Sequence, residues 1–231
     1  MSGGTPVALD TLLRGTWFAL EQAGRLLREA VALEDSGAHS TAAGLALLAR
    51  EELGRYVILR ELWGRASQGG AALTAAEVRA ACENHVVKQQ RGAFSSVMRA
   101  QGDSRLATLM RRLLKLPYHS PDAQLARSEV EVARCAKDKR TPTDRHTQRM
   151  RAFYVDLAES GATWYRPAEL DPAETRNWLF DAVNDYSGLR DCLTTPGVRE
   201  VAEPELAAAL DTWPDKPPLP PPVWPQMHAP S

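Results

Sequence analysis

The sequence predicts an all-α fold, a helical bundle with one small β excursion. Three observations point to it. Apolar residues recur at helical spacing through most of residues 8–193. Turn signals such as "EDSGAHS" and "SQGGA" separate those stretches. One segment, "AFYVDL" followed by "ESGATWY", instead carries the aromatic and β-branched residues of a short hairpin.

Taken in order, Thr5-Pro6 reads as a cap and first turn for a helix to about Leu33, with Leu13, Trp17, Leu20, Leu27 and Val31 on one face. Ser40 caps a second helix over roughly 41–66. Thr74 and Glu77 form a capping box for a third, over roughly 75–100. "SRLATLMRRLLKL" is a short basic amphipathic helix over 104–115, and Ser120-Pro121 starts another that runs to about Arg140. "RTPTD" reads as a breaker and a loop. The hairpin falls at about 152–166, and Asp171-Pro172 opens a long helix to about Leu193. One helical unit over 1–197 is expected. Residues 198–231 would then hold a short helix at 198–212 and a proline-rich extended tail, "PDKPPLPPPVWPQMHAP".

With 231 residues, 44% apolar, 25% charged and a net charge of −1, the composition is that of a globular chain. No run of 18 apolar residues occurs, so no membrane partner is expected. "MSGGTPVALD" lacks the marks of a signal peptide, and the three cysteines (Cys82, Cys135 and Cys192) form no C-x-x-C pair. A cytoplasmic protein without disulfides, metal or cofactor is the expectation. The near-zero charge hides an asymmetry: residues 99–151 carry an excess of +7 and residues 152–231 an excess of −8. The middle third is a candidate anion-binding region unless the fold evens the charges out.

On a helical wheel of "LALLAREELGRYVILRELW", Leu45, Leu48, Tyr56, Leu59, Leu62 and Trp63 cover one apolar arc, with Arg50, Arg60 and Glu61 opposite. Glu51, Glu52 and Arg55 fall inside or at the edge of the arc. On the third helix, His85 falls within a small-residue face and Lys88 at its edge. Lone buried charges are too costly to persist, so these groups should pair between the helices. The cluster fixes helix register, lines a phosphate- or nucleotide-sized pocket, or, with the helix phase otherwise, is solvated.

A second constellation is "RTPTDRH", Arg140 to His146, in the basic third. Metal-free RNA cleavage needs a base for the 2′-hydroxyl and a cation for the phosphorane, and histidine and arginine supply them. A basic surface loop would look the same. Tyr154, Trp164 and Tyr165 either stack bases or pin the hairpin on the core.

"AGLALLAREELGRYVILRELW", "HVVK" and "RMRAFYVDL" followed by "WYRPAEL" together resemble the AbiV-type abortive infection proteins, a bacterial phage-defence family with a HEPN-like helical domain. Glu51, Glu52, Gly54 and Arg55, then His85 and Lys88, then Arg151, Tyr154, Val155, Asp156 and Pro167 carry the likeness, over about residues 8–193. It implies a HEPN-like bundle and an effector that acts on RNA or translation. HEPN ribonucleases pair as homodimers, with an R-x₄₋₆-H motif facing the partner, and Arg140 and His146 fit that spacing. The pattern is departed from at Arg55, where lysine is usual, and at Thr141-Pro142, where a polar residue within a helix is usual.

The expected activity is metal-independent endoribonuclease chemistry, with His146 as base and Arg140 gripping phosphate. Glu51, Glu52, Arg55, His85 and Lys88 would be a supporting or separate ligand site. The alternatives are a non-catalytic module sensing a phage protein or nucleotide, and the partner subunit of a toxin–antitoxin-like pair.

Overall fold

The computed structural model describes residues 5–93, 108–109, 112, 120–123, 125–126, 129–130, 142–157, 163–167 and 170–194. Six helices and one hairpin organise them: α1 (Leu9–Asp35), α2 (His39–Ser67), α3 (Ala75–Glu83), α4 (His85–Gly92), α5 (Pro142–Phe153), β1 (Asp156–Leu157), β2 (Trp164–Tyr165) and α6 (Pro172–Thr194). Among the described residues the chain is all-α apart from that hairpin, as expected. Its two strands pair antiparallel, Asp156 opposite Tyr165 and Leu157 opposite Trp164.

α2 is the axis of the bundle. It packs against each of the other five helices. α1 returns onto it through a turn in which Gly37 takes φ 83°, a conformation that suits glycine. Leu20, Leu27, Leu53, Leu179 and Val183 form the main core between α1, α2 and α6. Leu12, Leu13, Ile58, Leu59, Leu62 and Trp63 form a second one beside α3. Glu34 closes the α1–α2 corner, 2.8 Å from His39 Nδ1 and 2.5 Å from Arg176 Nε of α6. Among the described residues no helix is long and apolar enough to cross a membrane.

A helix packed by neighbours on most of its sides can bury a charged residue, and this overturns one expectation. Arg50, assigned to the polar side, is fully buried, with Nη2 2.8 Å from Asp185 Oδ2 on α6. Such a pair is held because either charge alone would be far costlier than both together.

Other boundaries also shift. Thr5-Pro6 does not cap α1; Pro6 bridges to Thr74, and Val7 N–H donates to Leu73 O at 2.7 Å. α1 starts instead after Ala8. Ser40 lies inside α2 rather than capping it, and its hydroxyl donates to Pro167 O. The Thr74–Glu77 capping box forms as expected. The expected single third helix is two. Asn84 takes an extended conformation, and its Oδ1 accepts from Val87 N–H at 3.1 Å, so the chain restarts as α4. Pro142 does not make a loop: it is the first residue of α5, a position where its missing N–H costs nothing. Of the basic segment 104–115 and the segment 120–140, the few described residues at 108–109, 112, 121–123, 125–126 and 129–130 are helical. The expected helix at 198–212, the proline-rich tail and Arg140 lie outside the described residues.

Two glycines set the α2–α4 distance. A Cβ on Gly54 would stand 1.9 Å from Lys88 O, and one on Gly92 would stand 2.0 Å from Arg50 O. Both clashes are with backbone, which cannot swing aside. Gly54→Ala should therefore destabilise the protein by about 3 kcal/mol, read as a lowered urea midpoint. An unchanged midpoint would mean that the two helices can separate at no cost.

Candidate functional site

Glu51 is the centre of a cluster that α2, α4 and α5 build together. Its side chain is only 3% exposed, so its charge needs partners. Lys88 Nζ of α4 lies 3.4 Å from Oε2, and Arg149 Nε of α5 lies 3.1 Å from Oε1. Gln89 Nε2 donates to Leu47 O at 2.7 Å and reaches Glu51 Oε1 at 3.4 Å. His85 Nδ1 lies 2.6 Å from Oε2.

His146 joins from α5. Its ring stacks on His85 with centroids 5.6 Å apart and planes 25° from parallel. Arg149 Nη2 donates to His146 Nδ1 at 3.3 Å, so one guanidinium spans the carboxylate and the imidazole. Arg145, almost wholly buried, ties α5 to α4 through Gln89 O at 3.5 Å. One residue of the second constellation, His146, therefore joins the first: it stands beside His85 rather than in a detached loop.

The placement within the cluster departs from the wheel. His85 was expected in the middle of the buried face and Lys88 at its edge. Instead His85 is 45% exposed and Lys88 4%. The break at Asn84 resets the phase of α4, because a helix restarted from a new cap does not continue the preceding spiral. Glu52 and Arg55 pair with each other at 3.4 Å, beside the cluster and nearer solvent. Burial raises the Glu52 carboxyl above its ordinary range, with the Arg55 and Lys88 cations opposing.

Arg145 and Arg149 are the site residues that sequence reasoning missed. The signal was present: they share a helix face with His146 once Pro142 is read as the start of a helix. Arg149 follows His146 by three residues, one turn on.

The imidazole of His146 is held below its ordinary value of 6.5, by burial first and then by the Arg149 guanidinium and the neighbouring His85 ring, with Glu51 pulling the other way. It is therefore neutral at physiological pH and able to exchange hydrogen bonds without adding a third positive charge. Among the described residues, no group of three or more His, Cys, Asp and Glu side chains is placed to hold a metal ion. Glu51 already faces two cations, which makes it a poor ligand for a third.

The hairpin meets α5 through Arg151, on the side of the helix away from Arg149. Tyr154, Val155 and Trp164 are more than half exposed, so these side chains do not pin the hairpin on the core. The Arg151 guanidinium lies 4.2 Å from the centre of the Tyr165 ring. On that same side of α5, Asp144, Gln148, Arg151, Glu174 and Trp178 line an open cleft of about 400 Å³.

A family model described as AbiV matches residues 11–187, a span that contains every member of the cluster. No curated protein and no solved structure matches the chain.

Two outcomes follow from the geometry. Glu51→Ala leaves Lys88 and Arg149 without their counter-charge and should cost about 4 kcal/mol, measured by urea unfolding. For pH, the unfolded chain takes up a proton at His146 at a higher pH than the folded chain does. Its contribution to stability is thus present above the ordinary histidine range and lost as pH falls below it. His146→Gln should narrow the drop in unfolding free energy between about pH 7.5 and about pH 5.5, by denaturant titration at both values. An unchanged drop would show that other groups carry it.

Proposed function

From the premise that this chain belongs to the AbiV family of abortive-infection proteins, we propose that it halts infection by cleaving RNA without a metal ion, at the cluster around Glu51. The observation that carries this reading is the pair of stacked imidazoles, His85 and His146, above a carboxylate held by cations. Such a pair can exchange protons with a 2′-hydroxyl and a phosphate oxygen near neutral pH. Arginines beside it suit an anionic substrate and the charge that builds on a phosphorane.

His146 is the residue of the R-x₅-H spacing that this reading places in contact with RNA. Arg140, six residues earlier, is its proposed phosphate ligand. Lys88 and Glu51 hold the site from below, and the Glu52–Arg55 pair flanks it. Tyr154, Trp164 and Tyr165 offer bases farther along the RNA an exposed surface to stack on, with Arg151 against the Tyr165 ring. A homodimer that brings two such faces together in the cytoplasm belongs to the same proposal, as does a phage protein that triggers it. Expression in cells challenged with phage would test both.

The direct test is cleavage of single-stranded RNA by the purified protein in excess chelator. Wild type should give fragments with 2′,3′-cyclic phosphate ends, and His146→Ala should lose about 100-fold or more in rate while still folded. Trp164→Ala should weaken RNA binding about tenfold, in KM rather than kcat. If His146→Ala still protects cells and RNA stays intact throughout, the protein acts by association and the cluster is a binding site.

A further inference from the structure

Stacked histidines leave open which ring takes the proton. The hydrogen bonds around them decide it, because two of the partners have fixed roles. An ionised carboxylate only accepts, so the His85 Nδ1 that stands 2.6 Å from Glu51 Oε2 must carry a hydrogen. A guanidinium only donates, so the His146 Nδ1 that faces Arg149 Nη2 at 3.3 Å must offer its lone pair. In their neutral forms the rings are then opposite tautomers. His85 has a bare Nε2, and His146 has an Nε2–H. In each ring the nitrogen that remains for a substrate is the one turned away from Glu51 and Arg149.

We propose that the Glu51–His85 dyad is the proton acceptor of this site and that His146 serves as a hydrogen-bond donor to the phosphate. The proposal rests on the reading that the site opens RNA, and it divides the work otherwise than the R-x₅-H spacing suggests. Exposure agrees with it. His85 is the more open of the carboxylate's partners, 45% exposed, whereas Lys88 is 4% and Arg149 13% exposed. Glu51 has two cations already, so its bond to His85 does not call for a third positive charge. It orients the ring and stabilises the imidazolium that forms when the ring takes a proton. His146, held neutral among cations, is suited to donate through Nε2–H rather than to gain a proton.

The step balances without any further reagent. His85 Nε2 takes the 2′-hydroxyl proton as the 2′-oxygen bonds to phosphorus. The P–O5′ bond breaks, and the departing 5′-oxygen takes the proton back from His85 Nε2. The products are a 2′,3′-cyclic phosphate and a 5′-hydroxyl. His146 Nε2–H donates to a non-bridging oxygen throughout and gives up no proton.

The test has two arms. Long-range ¹H–¹⁵N correlation NMR of the imidazoles in the wild-type protein at neutral pH should find the hydrogen on Nδ1 of His85 and on Nε2 of His146. The reverse assignment at either ring overturns the proposal, whether or not the protein cleaves RNA. On single-stranded RNA, His85→Gln should lose about 100-fold or more, as expected for removal of a general base. His146→Gln, which keeps an N–H donor and a carbonyl for Arg149, should retain at least about a tenth of the rate, where His146→Ala does not. A His146→Gln variant as inactive as His146→Ala, beside an active His85→Gln, would return the base to His146. No cleavage by wild type would instead remove the proposed function and leave the tautomers to decide this inference.

Discussion

A single carboxylate, that of Glu51, sits out of water at the meeting point of three helices, and the arrangement around it is what its charge demands. Left alone there it would be prohibitively unstable. Lys88 and Gln89 answer it from α4, and Arg149 from α5. The lysine gives up its own solvent to do so. The cost of that exchange is met by geometry that leaves each charge with several partners, and it ties α4 and α5 to one spot on α2. The imidazoles ride on this foundation. His85 is oriented by the same carboxylate, and His146 by the same guanidinium that neutralises it.

The foundation requires close approach. Gly54 and Gly92 let the α2 and α4 backbones touch, so that the short reach from Glu51 to Lys88 and His85 is available without stretching any side chain. On another side of α2, the Phe153 ring lies where a Cβ on Gly44 would be, which seats the end of α5 against the axis. The small residues are as much part of the site as the charged ones, since each absent side chain brings a helix nearer.

Much of this could be read in the sequence, and the reasons for the rest are specific. Glu51, His85 and Lys88 stood out because charges on an apolar arc must find one another. That logic needs only helix periodicity. The bundle, its capping box and its hairpin were legible for the same reason: each rests on local chemistry. Arg50 was misread because a wheel puts charged residues on the wet side, whereas α2 is packed on most of its sides and buries Arg50 against Asp185. The exposures of His85 and Lys88 were interchanged because Asn84 could be read as an ordinary helical residue, although its side chain is a good cap. Pro142 looked like a breaker because proline ends helices as readily as it begins them. Read as a beginning, it would have put Arg145, His146 and Arg149 on one face.

The members of the cluster come from three stretches far apart in the chain, and none of these stretches holds both imidazoles. α5 is bound to the rest through two polar links, Arg149 to Glu51 and Arg145 to Gln89 O, and through the packing of Phe153 at Gly44. A local opening that lifts α5 would separate His146 from His85 and leave the α1–α2–α6 core intact. The proposed reaction would then depend on a conformational equilibrium of one helix. Whatever binds its outer face, beside the cleft at Asp144 and Glu174, would set how often the pair is assembled.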